Sequence, residues 1–475
     1  MTKGTSCLQR MLVPLCFLEE NFMVVKKKFT LSTTQIILLS FLVTIFAGSG
    51  LLALSISSAS GEAVPYLDAL FTATTATCVT GLVTLPTVST WSVFGQIVIL
   101  LLIQIGGLGI ITIMSGLMLL LNKKMGISDR LLIQDAFNLN TMSGLAKFVK
   151  NVLFGTLIIE GVGALLYMLV FVPAFGAKGV WISVFNSVSA FCNAGIDIIA
   201  ENSLCNYATH PLINIVTSAL IILGGLGYIV WWDVLRVVKS RSHKNRRIFR
   251  HLTLHSKIAI TVTAALILVG AILIFIFEYN NHLTIAEMSL FDKIQVSFFQ
   301  SVTTRTAGFA SVPQENLTNA SAAVSIVLML IGGSPVGTAG GMKTVTIAVL
   351  VCSAFATIRN KNSATLFGRR ISEGALKKAV AVALTFLTIC VTSTVLLMAT
   401  SNASAMDVVY ETISATATVG LSRNLTATLN TFGKLIIIIT MYFGRVGPIS
   451  LAVAFGSKNE SQNVISEPTE DISIG

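Results

Sequence analysis

Charge is what this sequence has least of. Only 11% of its 475 residues are Asp, Glu, Lys or Arg, against about 25% in a soluble domain. Hydrophobic residues make up 54%, so the chain is not written for water. Acidic residues number 21 against 32 Lys and Arg, a net charge of +11, which alone would admit nucleic acid as a partner. The basic residues, however, stand in short loops between long apolar runs, the positive-inside signature of a membrane protein. That pattern excludes nucleic acid. Cysteine is sparse as well: Cys7, Cys16, Cys78, Cys192, Cys205, Cys352 and Cys390 are odd in number and never in CxxC spacing. Neither a zinc site nor a disulfide framework follows. His210, His243, His251, His255 and His282 form no HExxH or i,i+4 pair within an apolar run. With no metal chemistry, ATP-binding motif or catalytic constellation, the chain is expected not to be an enzyme.

Long apolar runs are abundant instead. Eight of them, roughly 33–55, 92–121, 147–173, 210–236, 256–279, 320–356, 376–400 and 431–456, each reach the roughly 20 residues a bilayer demands. Residues 1–32 read as a cytoplasmic tail: Met11–Leu18 is too short to span, and no small-residue cleavage site separates it from Lys26-Lys27-Lys28. Met1, Met11 and Met23 are all candidate starts. The connections between pairs of runs are basic. The first holds Lys123, Lys124, Arg130 and Lys147, and the second Arg236, Lys239, Arg241, Lys244, Arg246, Arg247 and Arg250. The third holds Arg359, Lys361, Arg369, Arg370, Lys377 and Lys378. These charges place both termini and the connections in the cytoplasm of a multi-pass cell-membrane protein.

Between the members of each pair lies a stretch written four times: Phe71 to Leu82, Phe185 to Ile196, Phe299 to Phe309 and Tyr410 to Leu421. Each opens on an aromatic residue, continues in small and hydroxyl residues, and closes on Gly followed by a large apolar residue. The glycines stand at 81, 195, 308 and 420, spaced 114, 113 and 112 apart. A regular period of that size marks four copies of one unit. They divide the chain into repeats 33–122, 123–240, 241–358 and 359–457, with a polar tail at 458–475.

About ten residues before each Gly allow a half-helix of roughly 15 Å, too short to cross. Irregular backbone at membrane depth is tolerated only where it packs in protein or lines a water-filled cavity. Two spans per unit give all four units one orientation, so their loops meet about an axis along the membrane normal. Carbonyls from four such loops can replace the water around a dehydrated alkali cation, and Gly permits the backbone angles this needs. The candidate ion-binding residues are therefore Val79, Thr80 and Gly81; Asn193, Ala194 and Gly195; Thr306, Ala307 and Gly308; and Thr418, Val419 and Gly420. On the same side, Glu62, Asp68, Asp197, Glu201, Glu278, Glu287, Asp292, Glu315 and Asp407 either concentrate cations or are solvated loop charges.

One run cannot be a continuous helix. Residues 332–341 hold five Gly and a Pro, and helix through them would cost on the order of 8 kcal/mol. Gly332, Gly333, Ser334, Pro335, Gly337, Thr338, Gly340 and Gly341 thus break the run and put flexible backbone in the conduction path; the stretch lacks the GxxxxGK[ST] spacing of a phosphate site. Other runs carry Gly-rich points at similar depth: Gly106-Gly107-Leu108-Gly109, Gly224-Gly225-Leu226-Gly227 and Gly444-Arg445-Val446-Gly447. Offsets from the repeated glycines are 26 (81 to 107), 30 (195 to 225), 25 (308 to 333) and 25 (420 to 445), so Arg445 lies at the level of the broken run. A charge inside a span is usually functional; the alternative is an ion pair with Glu160 or Asp233. Arg305 is read as anchoring its loop from behind, in the register where Cys78 and Cys192 serve as small packing residues.

The four stretches ending Val79-Thr80-Gly81, Asn193-Ala194-Gly195, Thr306-Ala307-Gly308 and Thr418-Val419-Gly420 resemble the selectivity-filter loops of the Trk/Ktr/HKT superfamily of potassium transporters. The similarity runs from about residue 30 to 457, and the short segment before the first run makes the chain most similar to a Ktr-type membrane subunit. The resemblance implies an all-α polytopic membrane protein: four M1–P–M2 repeats around a central pore, a potassium-channel-like pseudo-tetramer with eight spans and four re-entrant pore loops. Some plant members replace the first filter Gly by Ser and favour sodium, so Gly81 supports a potassium filter. The resemblance further implies that 332–341 gates the pore and that Arg445, in its Gly-Arg-Val-Gly-Pro context, contacts that loop and opposes cation passage. It implies K+ as substrate ion, Na+ as a candidate activator, a homodimer and a cytosolic nucleotide-binding (RCK/KTN-type) regulatory ring. Anionic membrane lipid is an alternative partner for the basic loops. A sodium or poorly selective pathway of the same fold is one alternative. An organic-solute transporter is another, although it would show inverted repeats.

Overall fold

The computed structural model describes residues 32–121, 126–136, 144–239, 248–361 and 363–447. The tail over 1–31, Lys123, Lys124, Arg241, Lys244, Arg246, Arg247 and everything from Pro448 onward lie outside them. The first quarter runs α1 (Thr33–Leu52), α2 (Tyr66–Cys78), α3 (Val93–Leu108) and α4 (Ile110–Leu120). The second runs α5 (Leu145–Phe175), α6 (Ala177–Cys192), α7 (Pro211–Leu226) and α8 (Tyr228–Lys239). The third runs α9 (Leu254–Glu278), α10 (Leu290–Thr303), α11 (Asn319–Leu330) and α12 (Thr344–Ile358), and the fourth α13 (Glu373–Thr400), α14 (Ala405–Thr416) and α15 (Thr431–Val446). A small hairpin, Thr365–Leu366 against Arg369–Arg370, precedes α13.

The first helix of each quarter, α1, α5, α9 and α13, is long and apolar enough to cross a membrane. On these four helices Val43, Leu157, Leu268 and Leu384 are 58–62% exposed. At about 25 cal/mol per Å² of apolar surface, such faces belong against hydrocarbon. The second helices are the reverse: every residue of α2 from Phe71 to Cys78 is buried, hydroxyls included. Their starts are written locally. Ser289 and Ser404 accept hydrogen bonds from the Asp292 and Asp407 amides at the N-termini of α10 and α14, a capping arrangement that also sets a carboxylate at the positive end of the helix dipole.

Two apolar runs expected as continuous spans, 92–121 and 210–236, are each two helices bent by 94°, at Gly109 and Gly227. These glycines have φ 83°, ψ 135° and φ 87°, ψ 145°, an extended backbone at positive φ that a side chain forbids. Gly447 ends α15 in the same conformation, φ 92° and ψ 141°. The run 320–356 is broken differently: α11 stops at Leu330, α12 begins at Thr344, and the Gly-rich loop lies between.

The four quarters pack in cyclic order. Helix α3 packs on α6, α7 on α10, α11 on α14, and α15 returns to α2. Two ion pairs fasten the outer rim. Lys434 Nζ lies 2.5 Å from Asp68 across the closure, and Arg423 holds Asp407 at 2.7 Å while donating to the carbonyls of Gln314, Glu315 and Leu317.

Candidate ion pathway

A residue in left-handed conformation follows each buried second helix: Val79 (φ 55°) and Asn193 (φ 60°) directly, and Thr306 (φ 62°) and Thr418 (φ 51°) within three residues of the helix end. Three of the four are β-branched, for which positive φ is a genuine outlier, at a cost of order 1–3 kcal/mol each. Two residues on, Gly81, Gly195, Gly308 and Gly420 are also at positive φ. Strain repeated in register four times is held by equivalent bonds. The amides of Thr80, Ala194 and Val419 reach back to the carbonyls of Thr75, Ser189 and Ser414, and in the third loop, one residue shorter, those of Ala307 and Gly308 both reach Thr303. The side chains of those same four residues tie the turn: Thr75 and Ser414 accept from the Gly81 and Gly420 amides. Ser189 and Thr303 donate to the carbonyls of Ile196 and Phe309.

The four glycines meet in a ring. A Cβ on Gly81 would lie 2.5 Å from the Ala194 carbonyl, one on Gly195 2.5 Å from that of Ala307, and one on Gly308 2.5 Å from that of Val419. One on Gly420 would strike the Thr80 carbonyl and close the circle. Only backbone fits between neighbouring loops. The predicted residues Val79–Gly81, Asn193–Gly195, Thr306–Gly308 and Thr418–Gly420 are all brought together here.

A cavity of about 350 Å³ opens on one side of this ring, touched by all four glycines and by Asp197, Glu201 and Glu315. Burial pushes the Asp197 carboxyl up to about 6, against the opposing hydrogen bonds from Ser203 and the amides of Ile199 and Ala200. A second cavity, of about 380 Å³, is lined by Gly106, Gly337, Gly340, Gly341, Lys343 and Arg445.

The Gly-rich loop lies between the ring and this second cavity. Its neck is zipped by a bridge between Ile331 and Met342 and by a Ser334–Thr344 hydroxyl contact at 3.0 Å. Its body docks on the α7–α8 bend: the Ser334 and Thr338 amides donate to the Gly225 and Gly224 carbonyls, and the Tyr228 amide donates to Val336. Gly332, Gly333, Pro335, Gly337, Gly340 and Gly341 pack by backbone at distances that exclude larger residues from several positions; a Cβ on Gly337 would lie 2.8 Å from the Gly224 carbonyl. The loop also touches the ring directly. Thr338 Oγ1 lies 3.1 Å from Asn193 Oδ1, the Gly340 amide donates to Thr306 Oγ1 at 3.2 Å, and Lys343 Nζ caps the Ala339 carbonyl at 2.6 Å.

Arg445 donates to the Thr338 carbonyl at 2.6 Å and to the Gly106 carbonyl at 2.5 Å. It thereby joins the loop to α3. Neither Glu160 nor Asp233 is its partner: Glu160 accepts from Gln104, and Asp233 pairs with Arg236 at 2.5 Å. Arg305 donates through Nη2 to the Gly332 carbonyl at 2.8 Å, and Cys78 and Cys192 are fully buried.

Sequence reasoning missed the braces behind the ring. Glu411 in α14 accepts from Ser422 at 2.6 Å and from Thr426, while Gln300 in α10 donates to Gln314 at 2.6 Å. Their signal was register: both stand nine residues or one fewer before their glycines (411 to 420, 300 to 308).

The TrkH family, cation transport protein, matches residues 18–467. The potassium/sodium uptake protein NtpJ of Enterococcus hirae is 40% identical over 451 residues, covering 94% of this chain and 98% of that protein. The Ktr system potassium uptake protein B of Bacillus subtilis is 38% identical over 431 residues, covering 90% and 94%. Among solved structures, the potassium transporter TrkH of Vibrio parahaemolyticus superposes with a TM-score of 0.71 over 90% of this chain and 86% of that one. At 16% identity that likeness speaks for the fold alone.

Proposed function

This chain belongs to the TrkH family of cation transport proteins, and from that premise we propose that it conducts potassium into the cell through the ring of four loops. The observation that carries this reading is the closed circle of Gly81, Gly195, Gly308 and Gly420, each against the carbonyl before the next glycine. Strained backbone held in register places peptide dipoles, rather than side chains, around one axis. Such a cage suits a dehydrated alkali cation. The relatives' names, potassium/sodium uptake and Ktr potassium uptake, agree with that choice of ion.

In this reading α1, α5, α9 and α13 are outer spans. The pairs α3–α4, α7–α8 and α11–α12 are inner spans broken at depth, and α15 begins the eighth. Helices α2, α6, α10 and α14 are re-entrant. The loop 332–341 is the gate, and Arg445 is its latch, a fixed positive charge between the ring and the second cavity. Both termini face the cytoplasm, with the first cavity as the outer mouth. The exposed basic residues of the connections, among them Arg236, Arg250, Arg359 and Arg370, offer a docking surface to a cytosolic nucleotide-binding ring or to anionic headgroups. A homodimer and activation by sodium belong to the same proposal.

A sodium-conducting or weakly selective pathway is the second reading, favoured by the dissimilar sequences of the four loops and by the name of the Enterococcus relative. Uptake of rubidium and sodium by potassium-uptake-deficient cells separates the two, with Gly308→Ser alongside. Preference for the potassium congener, weakened by the substitution, is expected. Equal sodium uptake, or indifference to the substitution, would overturn the filter assignment and leave the fold standing.

A further inference from the structure

Three of the four loops carry a small residue three positions before the glycine: Cys78, Cys192 and Ala417. The third carries Arg305 there, 5% exposed and without an ion pair among the described residues. A buried guanidinium with no carboxylate is costly, so its place calls for a reason. The third quarter is also the one whose third helix stops short, at Leu330, leaving last-turn carbonyls that a continuing helix would have satisfied. Arg305 Nη2 donates to the Gly332 carbonyl, the first glycine past that stop, at 2.8 Å. A cation at the negative end of α11 is favoured by the helix dipole as well. The Arg305 carbonyl, in turn, accepts from Asn193 Nδ2 at 3.4 Å, and Asn193 Oδ1 meets Thr338 Oγ1.

We infer that Arg305 is a positioning residue that couples the ring to the loop 332–341. It fastens the loop's first hinge to the third ring segment, whereas Arg445 holds the loop at its middle, on Thr338. The two arginines therefore divide the work: Arg445 is released when the loop moves, and Arg305 stays as the pivot and keeps the third ring segment in place while it does. Ion discrimination and gating share this residue. The inference rests on the proposed conducting role of the ring.

The test is rubidium and sodium uptake by the full chain with its partner subunits, in potassium-uptake-deficient cells, at membrane amounts matched by immunoblot. Arg305→Met removes the donors; Arg305→Gln returns a neutral donor, and Arg305→Lys a charged one. For Arg305→Met, a loss of rubidium-over-sodium preference of about tenfold is expected, the scale set by one charge-assisted hydrogen bond, together with raised uptake in cells lacking the regulatory partner. Lys and Gln should each restore part of both. Arg445→Ala, by contrast, should raise partner-free uptake and leave the preference unchanged. A merely structural role would lower protein amount and both fluxes in parallel at a constant ratio, and that result overturns the inference. So does a wild-type ratio in Arg305→Met or, should Met prevent accumulation, in Arg305→Ala, which also lacks the donors. If the wild-type chain itself shows no rubidium uptake, the conducting role fails rather than the pivot.

Discussion

The ring of loops and the zone beneath it are built from the same four repeats and treat them in opposite ways. In the ring the copies are held alike: a left-handed residue, a glycine two positions on, a hydroxyl tying the turn. Beneath it they diverge. Two third helices bend by 94°, one ends at a glycine of the same conformation, and one opens into a loop of its own. In the proposed reading, coordination of one central ion asks the same of every segment, which suits a symmetric ring. Obstructing a path that four segments surround would take a single element reaching across, so a gate as proposed suits a lower zone with one segment unlike the rest. Asymmetry is the expected form of a gate in a one-chain ring.

The largest expected effect comes from breaking the symmetric zone. Alanine at Gly81, Gly195 or Gly420 adds a Cβ at φ 101°, 63° or 96° against a neighbouring carbonyl. Backbone strain of about 1–3 kcal/mol and the clash together should lower potassium-congener uptake by about tenfold or more. The three variants should behave alike. If one of them retains wild-type uptake and ion preference, the ring is not a functional circle.

A smaller effect, of opposite sign, is expected below. Arg445→Ala removes two hydrogen bonds, one to the loop and one to α3. Bonds from charged groups are worth about 1.5–3 kcal/mol, part of which water recovers when the loop moves. Uptake in cells lacking the proposed cytosolic partner should rise about fivefold to tenfold, with ion preference unchanged. Unaltered partner-free uptake would remove Arg445 from the gate and return the lower zone to a packing role.

This contrast also explains what could be read from residues alone. The ring glycines were legible because a fixed interval survives in the chain, and residues 332–341 because five Gly and a Pro cannot continue a helix. The bends at Gly109 and Gly227 were not, since a glycine inside an apolar run is compatible with straight helix, and only the docked loop and neighbouring helices choose otherwise. The cyclic packing of α3 on α6 through α15 on α2 follows from four like-oriented units, but which carbonyl each glycine meets does not. The partners of Arg445 illustrate the same limit. Its depth was countable from Gly420, whereas the second bond, to Gly106, joins residues 339 apart in sequence.

The smallest expected effect lies at the first cavity, the proposed mouth, where the repeats share neither the symmetry of the ring nor the single break of the third quarter. Asp197 follows Gly195 by two residues and lines the first cavity with Glu201 and Glu315; burial has pushed its carboxyl up to about 6. Above that pH it is charged and, in the proposed reading, would raise the local cation concentration; below it the charge is lost. Because the carboxyl binds its proton more readily folded than unfolded, acidification adds stability through this group. Reduced uptake at low pH would thus reflect charge at the mouth and not unfolding. The KM for rubidium should rise about twofold to threefold as pH falls through about 6, the scale of one partly screened charge, with maximal uptake unchanged. Asp197→Asn should show the raised KM at all pH values and lose the pH step. If the step survives in that variant, the titrating group lies elsewhere; if maximal uptake falls instead of affinity, protonation acts on the ring or the loop beneath it, and the mouth has no part in the selection.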